Sequence, residues 1–149
     1  MAEVSEERSK EVEERAARNV PVIEEYRVTG GKLSGPMAGF EVVLVHHKGA
    51  KSGVARVNPV AYRQVGDDIA VFASNGGRKA NPDWYYNLVA HPDTVIELGS
   101  EALPVRARVA SGKERTEIWE AQKAGSPMFA DYENTAAPRE IPVVILERT

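Results

Sequence analysis

The sequence predicts an α+β domain whose sheet is mainly antiparallel and closes, or nearly closes, into a β-barrel, with short peripheral helices and an N-terminal helix. Six short segments rich in valine, isoleucine and leucine follow one another at hairpin spacings, with glycine turns between them. The helical stretches among them are short and irregularly placed, so no strand–helix–strand rhythm of a parallel sheet develops. The length, 149 residues, suits one core, and closure of the sheet would remove exposed strand edges.

Taken in order, residues 3–18 read as a charged helix, with Glu6/Lys10, Glu11/Arg15 and Glu14/Arg18 at i,i+4 spacing. Val4, Val12, Ala16 and Ala17 give it only a thin apolar stripe, suited to a solvated or loosely docked arm. Asn19 and Pro21 predict a break, then a second short helix over 21–28 ended by Gly30 and Gly31. Strands are expected over 41–47, 54–63 and 69–73, joined by the turns 48–53 and 66–68. Pro59 inside the second strand implies an edge or a bulge. A polar glycine loop covers 74–81. Asn81-Pro82-Asp83 reads as the cap, first residue and acidic first turn of a helix running to residue 90. Strands over 95–98 and 103–109 follow. Ser111 with Glu114 forms a capping box for a helix to residue 124. Residues 125–140 read as a loop or short helix carrying Phe129 and Tyr132, and 141–146 as the last strand. Residues 1–18 are thus an N-terminal charged helical arm and 19–149 a barrel domain.

Composition excludes several functions. The chain lacks cysteine, which removes disulfides, thiolate metal sites and a cysteine nucleophile and fits a reducing cytoplasm. It shows no apolar run of membrane-spanning length and no secretory leader. The expected location is cytoplasmic, with the N-terminal arm a candidate for peripheral contact with the inner face of the plasma membrane. A net charge of −3 argues against a nucleic-acid partner. The charge is uneven, however. Residues 48–79 carry six basic side chains (Lys48, Lys51, Arg56, Arg63, Arg78, Lys79) against Asp67 and Asp68, whereas the rest of the chain has 13 basic and 20 acidic residues. Such a segment suits either an anionic ligand or a solvated basic face.

Three segments could carry chemistry. In the 49–53 turn, GAKSG, the two glycines permit a sharp nest of N–H groups, and Lys51, Ser52 and Arg56 add donors for a phosphate. An ordinary hairpin turn would use the same residues. Ser74-Asn75-Gly76-Gly77 lets a flat ligand approach the backbone closely, as any glycine loop does. Trp84, Tyr85, Tyr86 and Asn87 could wall a planar ligand at a helix start or simply fill the core. His46 and His47 are adjacent on a strand and point to opposite faces, so they do not make a shared metal site, and His91 reads as a helix end. No metal site is expected.

These segments together resemble the deazaflavin (coenzyme F420)-dependent nitroreductase family of actinobacteria. The matching stretches are NVPVIEEYRVTGGKLSG (19–35), VLVHHKGAKSGVARVNPVAYR (43–63), VFASNGGRKANPDWYYNL (71–88) and DYENTAAPREIPVVIL (131–146). The resemblance implies a split β-barrel related to flavin-binding barrels, with reduced coenzyme F420 as hydride donor. It implies that Ala50, Lys51, Ser52 and Arg56 bind the cofactor's phosphate and acidic tail. Val57, Asn58, Pro59, Val60 and Ala61 would line the deazaflavin ring, with Ala73, Ser74 and Asn75 beside it and Trp84, Tyr85, Tyr86 and Asn87 on the other side. Tyr132 and Ser74 would act at the reacting centre, Tyr132 as proton donor. The chain departs from the nitroreductase prototype at Ala61, where the prototype has a tyrosine, and after Tyr132, where the loop lacks a tryptophan and is one residue longer. Both changes reshape the acceptor pocket. The implied acceptor is an electron-poor small molecule: an enone, enoate, quinone or nitro compound. An FMN-dependent reductase of the same fold and a non-catalytic deazaflavin- or quinone-binding module are the alternatives. The oligomeric state stays open.

Overall fold

The structure, a computed structural model, describes residues 2–149, with side chains described for Lys10 and for residues 13–149. Six strands form the barrel: β1 (Val42–Lys48), β2 (Ala55–Val65), β3 (Asp68–Phe72), β4 (Asp93–Leu98), β5 (Glu101–Val109) and β6 (Val143–Arg148). They close in the order β1-β2-β3-β6-β5-β4, and every neighbouring pair is antiparallel.

Strand alternation divides the apolar residues into layers. Val43, Val45, Ile69, Val71, Ile96, Val105, Val144 and Leu146 point into the barrel, and helix α2 (Asp83–Ala90) adds Trp84 and Leu88 to the same core. On the outer face, Ala70, Phe72, Val143 and Ile145 pack beneath α3 (Gly112–Gly125) and α4 (Met128–Ala136), which contribute Ile118, Trp119 and Phe129. The end of α1 (Ala2–Thr29) covers Val42 and Leu44 through Tyr26. The Tyr26 hydroxyl lies 2.9 Å from the Val42 carbonyl and 3.1 Å from that of Glu97, and accepts the Gly99 N–H at 2.9 Å. It thereby bridges the β1–β4 seam, which pairs only at Leu44–Glu97 and Val45–Ile96.

The split in the barrel originates in β2. Its first half, from Ala55 to Ala61, pairs with β1, whereas pairing with β3 begins only at Tyr62, opposite Val71. Beyond that point the continuation of β3 stays with the β6 side, where the Ala73 N–H donates to the Pro142 carbonyl at 3.0 Å. A wedge therefore opens between 57–61 and 73–75. Pro59 sits on that open edge, as a proline in a strand must, because it has no N–H to donate.

Several local expectations change. Helix α1 runs through Pro21 without the expected break. The Ala17 carbonyl, which loses its helical donor there, belongs to an exposed residue where water can replace it. The paired charges and apolar positions expected at residues 4, 6, 11 and 12 lie outside the described side chains. Pro82, rather than Asn81, occupies the N-cap of α2, since the Asn81 side chain instead accepts from Arg139 at 2.5 Å. Ser111 does cap α3 in position, but without a side-chain bond. Glu114 is drawn away by Arg108, in a bidentate pair at 2.6 and 2.8 Å that outweighs a single backbone bond. The segment left open between loop and helix is α4.

Candidate functional site

The wedge displays unspent backbone. Opposite Leu44, Pro59 can occupy only a non-hydrogen-bonded pair, and the Tyr62 N–H bonds to the Glu41 carbonyl at 2.9 Å, which fixes the alternation. The N–H and C=O of Val57, the Pro59 carbonyl and the Ala61 N–H therefore point away from β1 into the wedge, while the Ala61 carbonyl faces Phe72 at the end of the β2–β3 ladder. They offer donors and acceptors in one line, as the edge of a flat heterocycle requires.

Across the wedge, one side chain makes most of the bonds that hold the 73–81 loop. The Arg139 guanidinium donates to the carbonyls of Ala73 (3.0 Å), Ser74 (2.9 Å) and Arg78 (2.8 and 3.1 Å), and to the Asn81 side chain. Desolvation depresses its pKa from the ordinary arginine value. The loop is tightly turned: Asn75, Gly76 and Gly77 all have positive φ, at 51°, 64° and 81°. Gly77 is buried against α4, where an added Cβ would stand 3.2 Å from Tyr132 Cα. Tyr132 thus lies beside the Ser74–Gly77 loop. Its ring packs edge-on against Phe129 at 5.5 Å, and its hydroxyl has no hydrogen-bond partner among the described residues. Glu133, the next residue, ties α4 to α3 by accepting from Trp119 Nε1 and from Lys123. Those bonds, the Trp119 one foremost, hold its carboxyl below the usual carboxylate range.

A polar chain links the remaining segments. The Ala50 N–H donates to Asn87 Oδ1 (2.9 Å), the Asn87 amide lies 3.0 Å from His47 Nδ1, and His47 Nε2 lies 2.7 Å from Asn58 Oδ1. The 49–53 turn, α2, β1 and β2 are joined by it. The expected nest in that turn is narrower than its glycines suggest. Gly49 N–H donates to the Val54 carbonyl, Gly53 N–H to Gly49, and Val54 N–H to Ser52 Oγ, which leaves the N–H groups of Lys51 and Ser52 without a partner among the described residues. Lys48, Lys51 and Arg56 also form no ion pair with a described carboxylate. At this end of β2 a cleft of about 380 Å³ is lined by Lys48, Arg56, His46, His91 and Asp93.

The sequence-predicted residues thus converge in part. Val57–Ala61, Ala73–Asn75 and Tyr132 surround the wedge, while Ala50, Lys51, Ser52 and Arg56 lie at one end of it. From Arg56 to Ala61 the strand covers about 17 Å, which suits a flat ring at one end and an anionic chain at the other. On α2, Trp84 is 6% exposed and belongs to the barrel core, Tyr86 is 46% exposed, and Asn87 is committed to His47 and Ala50. Two site-shaping residues escaped sequence reading, His47 and Arg139. The adjacency of His46 and His47 did signal opposite faces: His46 meets Glu97 at 2.7 Å and His47 turns inward. Nothing local marked Arg139.

Fold and site define a split-barrel protein whose open wedge is bordered by spare backbone donors and acceptors on β2, with unpaired cations at one end. The chain belongs to the F420H(2)-dependent quinone reductase family, which it matches over residues 18–148. It is 39% identical over 115 residues, covering 73% of this chain and 94% of the relative, to a protein of Mycobacterium tuberculosis named as an F420H(2)-dependent quinone reductase. A second quinone reductase of that name and organism is 31% identical over 127 residues, covering 83% and 85% of the two chains. Among solved structures, an F420-H2 dependent reductase (FDR-A) superposes with a TM-score of 0.65 at 35% identity, covering 72% of this chain and 94% of that one. A domain-swapped dimer superposes with 0.67 at 31% identity, covering 93% and 98%. The heme-storage protein HutZ of Vibrio cholerae, at 11% identity, 0.56 and coverages of 87% and 89%, shares the fold alone.

Proposed function

We propose that this chain is a reductase that takes a hydride from reduced coenzyme F420 and delivers it to a quinone or a related conjugated acceptor. The observation that carries the reading is the wedge, with its spare backbone donors and acceptors on β2 and unpaired cations at one end. When bound, the reduced deazaflavin supplies the hydride from its C5. The chain supplies binding and orientation. Lys51, Ser52, Arg56 and the turn at Ala50 hold the phosphate, and Lys48 extends the cationic track along the acidic tail into the cleft beside Arg56. The backbone of Val57 to Ala61 meets one edge of the ring. Ala73, Ser74 and Asn75, fixed by Arg139, face it across the wedge, while Tyr85 and Tyr86 flank it and Trp84 and Asn87 support that wall from behind. Tyr132 and Ser74 present hydroxyls at the reacting centre, Tyr132 delivering the proton.

Anaerobic mixing of the protein with reduced coenzyme F420 and a soluble naphthoquinone should restore the absorbance of the oxidised cofactor. Binding of the oxidised cofactor, followed by tryptophan fluorescence, should weaken at least tenfold in the double variant Lys51→Ala/Arg56→Ala. Absence of binding, or preference for FMN, would refute the assignment.

The family match begins at residue 18, which supports treating the residues before it as an arm, although α1 runs unbroken through that boundary; no described helix is long and apolar enough to cross a membrane. We propose that the arm makes a peripheral contact with the inner membrane face. Co-sedimentation with anionic vesicles that disappears when residues 1–17 are removed tests that contact, and sedimentation velocity tests whether this chain dimerises.

A further inference from the structure

A second cleft, of about 550 Å³, opens toward the other end of β2, between Phe40, Ala61, Arg63, Gln122 and Ser126. Two of its polar side chains are unspent. Gln122 is only 6% exposed, on the α3 face that carries Ile118 and Trp119, yet its amide has no hydrogen-bond partner among the described residues. Its amide atoms are not closed off from solvent, so they remain available to a molecule that enters the cleft. Arg63 stands at the C-terminal end of α3, with a guanidinium nitrogen 3.6 Å from where a Cβ on Gly125 would be. The helix dipole favours a cation there. Even so, Arg63 forms no ion pair with a described carboxylate, and its donors remain open.

The Tyr62–Glu41 pair in the cleft is already satisfied. Tyr62 donates its hydroxyl to Glu41 at 2.9 Å, and burial together with that carboxylate pushes the Tyr62 hydroxyl up to about 12, so it keeps its proton. Ala61 connects cleft and wedge: its backbone borders the wedge and its side chain, a single methyl group, lines the cleft.

We propose that this cleft is the acceptor's site, and that Arg63 and Gln122 there hold a carboxylate carried by the conjugated carbonyl acceptor. The proposal rests on the reductase reading of the wedge. A cleft of this size suits a molecule of one or two rings. A carboxylate supplies the countercharge that Arg63 lacks and can be gripped bidentately, and the Gln122 amide adds a donor. A neutral quinone would leave the guanidinium partly desolvated without compensation. The carboxylate changes no bond in the reaction: the acceptor's conjugated ring receives the hydride with its two electrons, and one proton completes the reduction to the hydroquinone.

The test compares a naphthoquinone carboxylate with its methyl ester, titrated into protein loaded with oxidised coenzyme F420 so that no turnover occurs, with tryptophan fluorescence as the readout. The acid should bind about tenfold or more tightly than the ester, as a charge-assisted bidentate contact implies. In Arg63→Gln that ratio should collapse to about one, with ester affinity little changed. Gln122→Met, which keeps the volume, should weaken the acid severalfold. Equal binding of acid and ester, or a ratio that survives Arg63→Gln, would overturn the proposal. Cofactor affinity is measured separately for each variant. If the native protein binds no coenzyme F420, the reductase reading fails, and the acid-to-ester ratio on cofactor-free protein still judges the cleft.

Discussion

His47 is hydrogen-bonded to Asn58 across the β1–β2 pair, with 2.7 Å between Nε2 and Oδ1. Because the Asn87 amide donates to the other ring nitrogen, His47 carries its proton on Nε2 and is neutral. Its burial, at 7% exposure, depresses its pKa below the ordinary value, and nearby Arg56 acts the same way; the Asn58 bond and Asp83 oppose the shift. One imidazole thus ties the strand that floors the wedge to the helix that closes it.

The first prediction follows from that neutrality. As pH falls, the unfolded chain takes up the His47 proton before the folded protein does. The stabilising contribution is therefore complete above the ordinary histidine value of 6.5 and is lost progressively as pH falls below it toward the depressed folded value. Thermal melts at descending pH should show this loss. In His47→Gln the slope just below that value should flatten, because the titrating group is gone. His47→Leu should cost about 2–4 kcal/mol at neutral pH, since it strands the Asn58 and Asn87 side chains.

Arg139 gives the second prediction. Its guanidinium satisfies three backbone carbonyls and the Asn81 side chain from within the 73–81 loop. Arg139→Met should release that loop, lowering stability by about 2–4 kcal/mol and weakening coenzyme F420 binding by an order of magnitude or more. Arg139→Lys should restore little of either, because one ammonium cannot reproduce the planar fork. Melting temperature and cofactor titration, measured together, check it.

These two residues also mark where sequence reading stopped. The six strands were legible because each is a short valine-rich run between turns, and Pro59 announced the open edge through its missing N–H. The basic stretch around Lys51 and Arg56 stood out against an acidic chain. Arg139 and His47 act through partners distant in sequence, 58 to 66 residues away for Arg139 and 40 for Asn87 with His47, so no local spacing could reveal them. The failed capping box has a similar cause. Ser111 and Glu114 have the right spacing, but Arg108 on the neighbouring strand competes for the carboxylate and wins. Pro21 misled in the opposite direction, since an exposed helix tolerates the lost bond.

The third prediction separates two glycines in one loop. Gly76 and Gly77 both have positive φ, but a Cβ at Gly76 would meet nothing within 4 Å, whereas one at Gly77 would press on Tyr132 and Thr135 at 3.2 Å. Gly76→Ala should cost about 1 kcal/mol from backbone strain alone. Gly77→Ala should cost more, about 2–4 kcal/mol, by adding displacement of α4 to the same strain. It should also reduce turnover by moving Tyr132, while Gly76→Ala leaves kcat within about twofold. Chemical denaturation and steady-state kinetics on the pair decide the matter.

The last prediction concerns how α1 is anchored, where two neighbouring contacts differ in kind. Arg27 grips Glu97 bidentately at 2.7 and 2.9 Å, and this bond, ahead of the one from His46, holds the Glu97 carboxyl below the usual range. Half of the Arg27 side chain is exposed, however, so water and salt screen the pair and Arg27→Ala should cost less than about 1 kcal/mol. Tyr26 is 1% exposed, and its hydroxyl serves three backbone groups at the β1–β4 seam. Tyr26→Phe keeps the packing but leaves those groups without their partner, at a cost of about 2–3 kcal/mol. For a chain of this size that corresponds to a melting temperature lower by about 4–10 °C. Amide exchange should then accelerate at Gly99 and along the end of α1, where the Arg27→Ala protein stays protected. If the two variants were equally stable, the end of α1 would be held by surface charge, and the hydroxyl would not be its anchor.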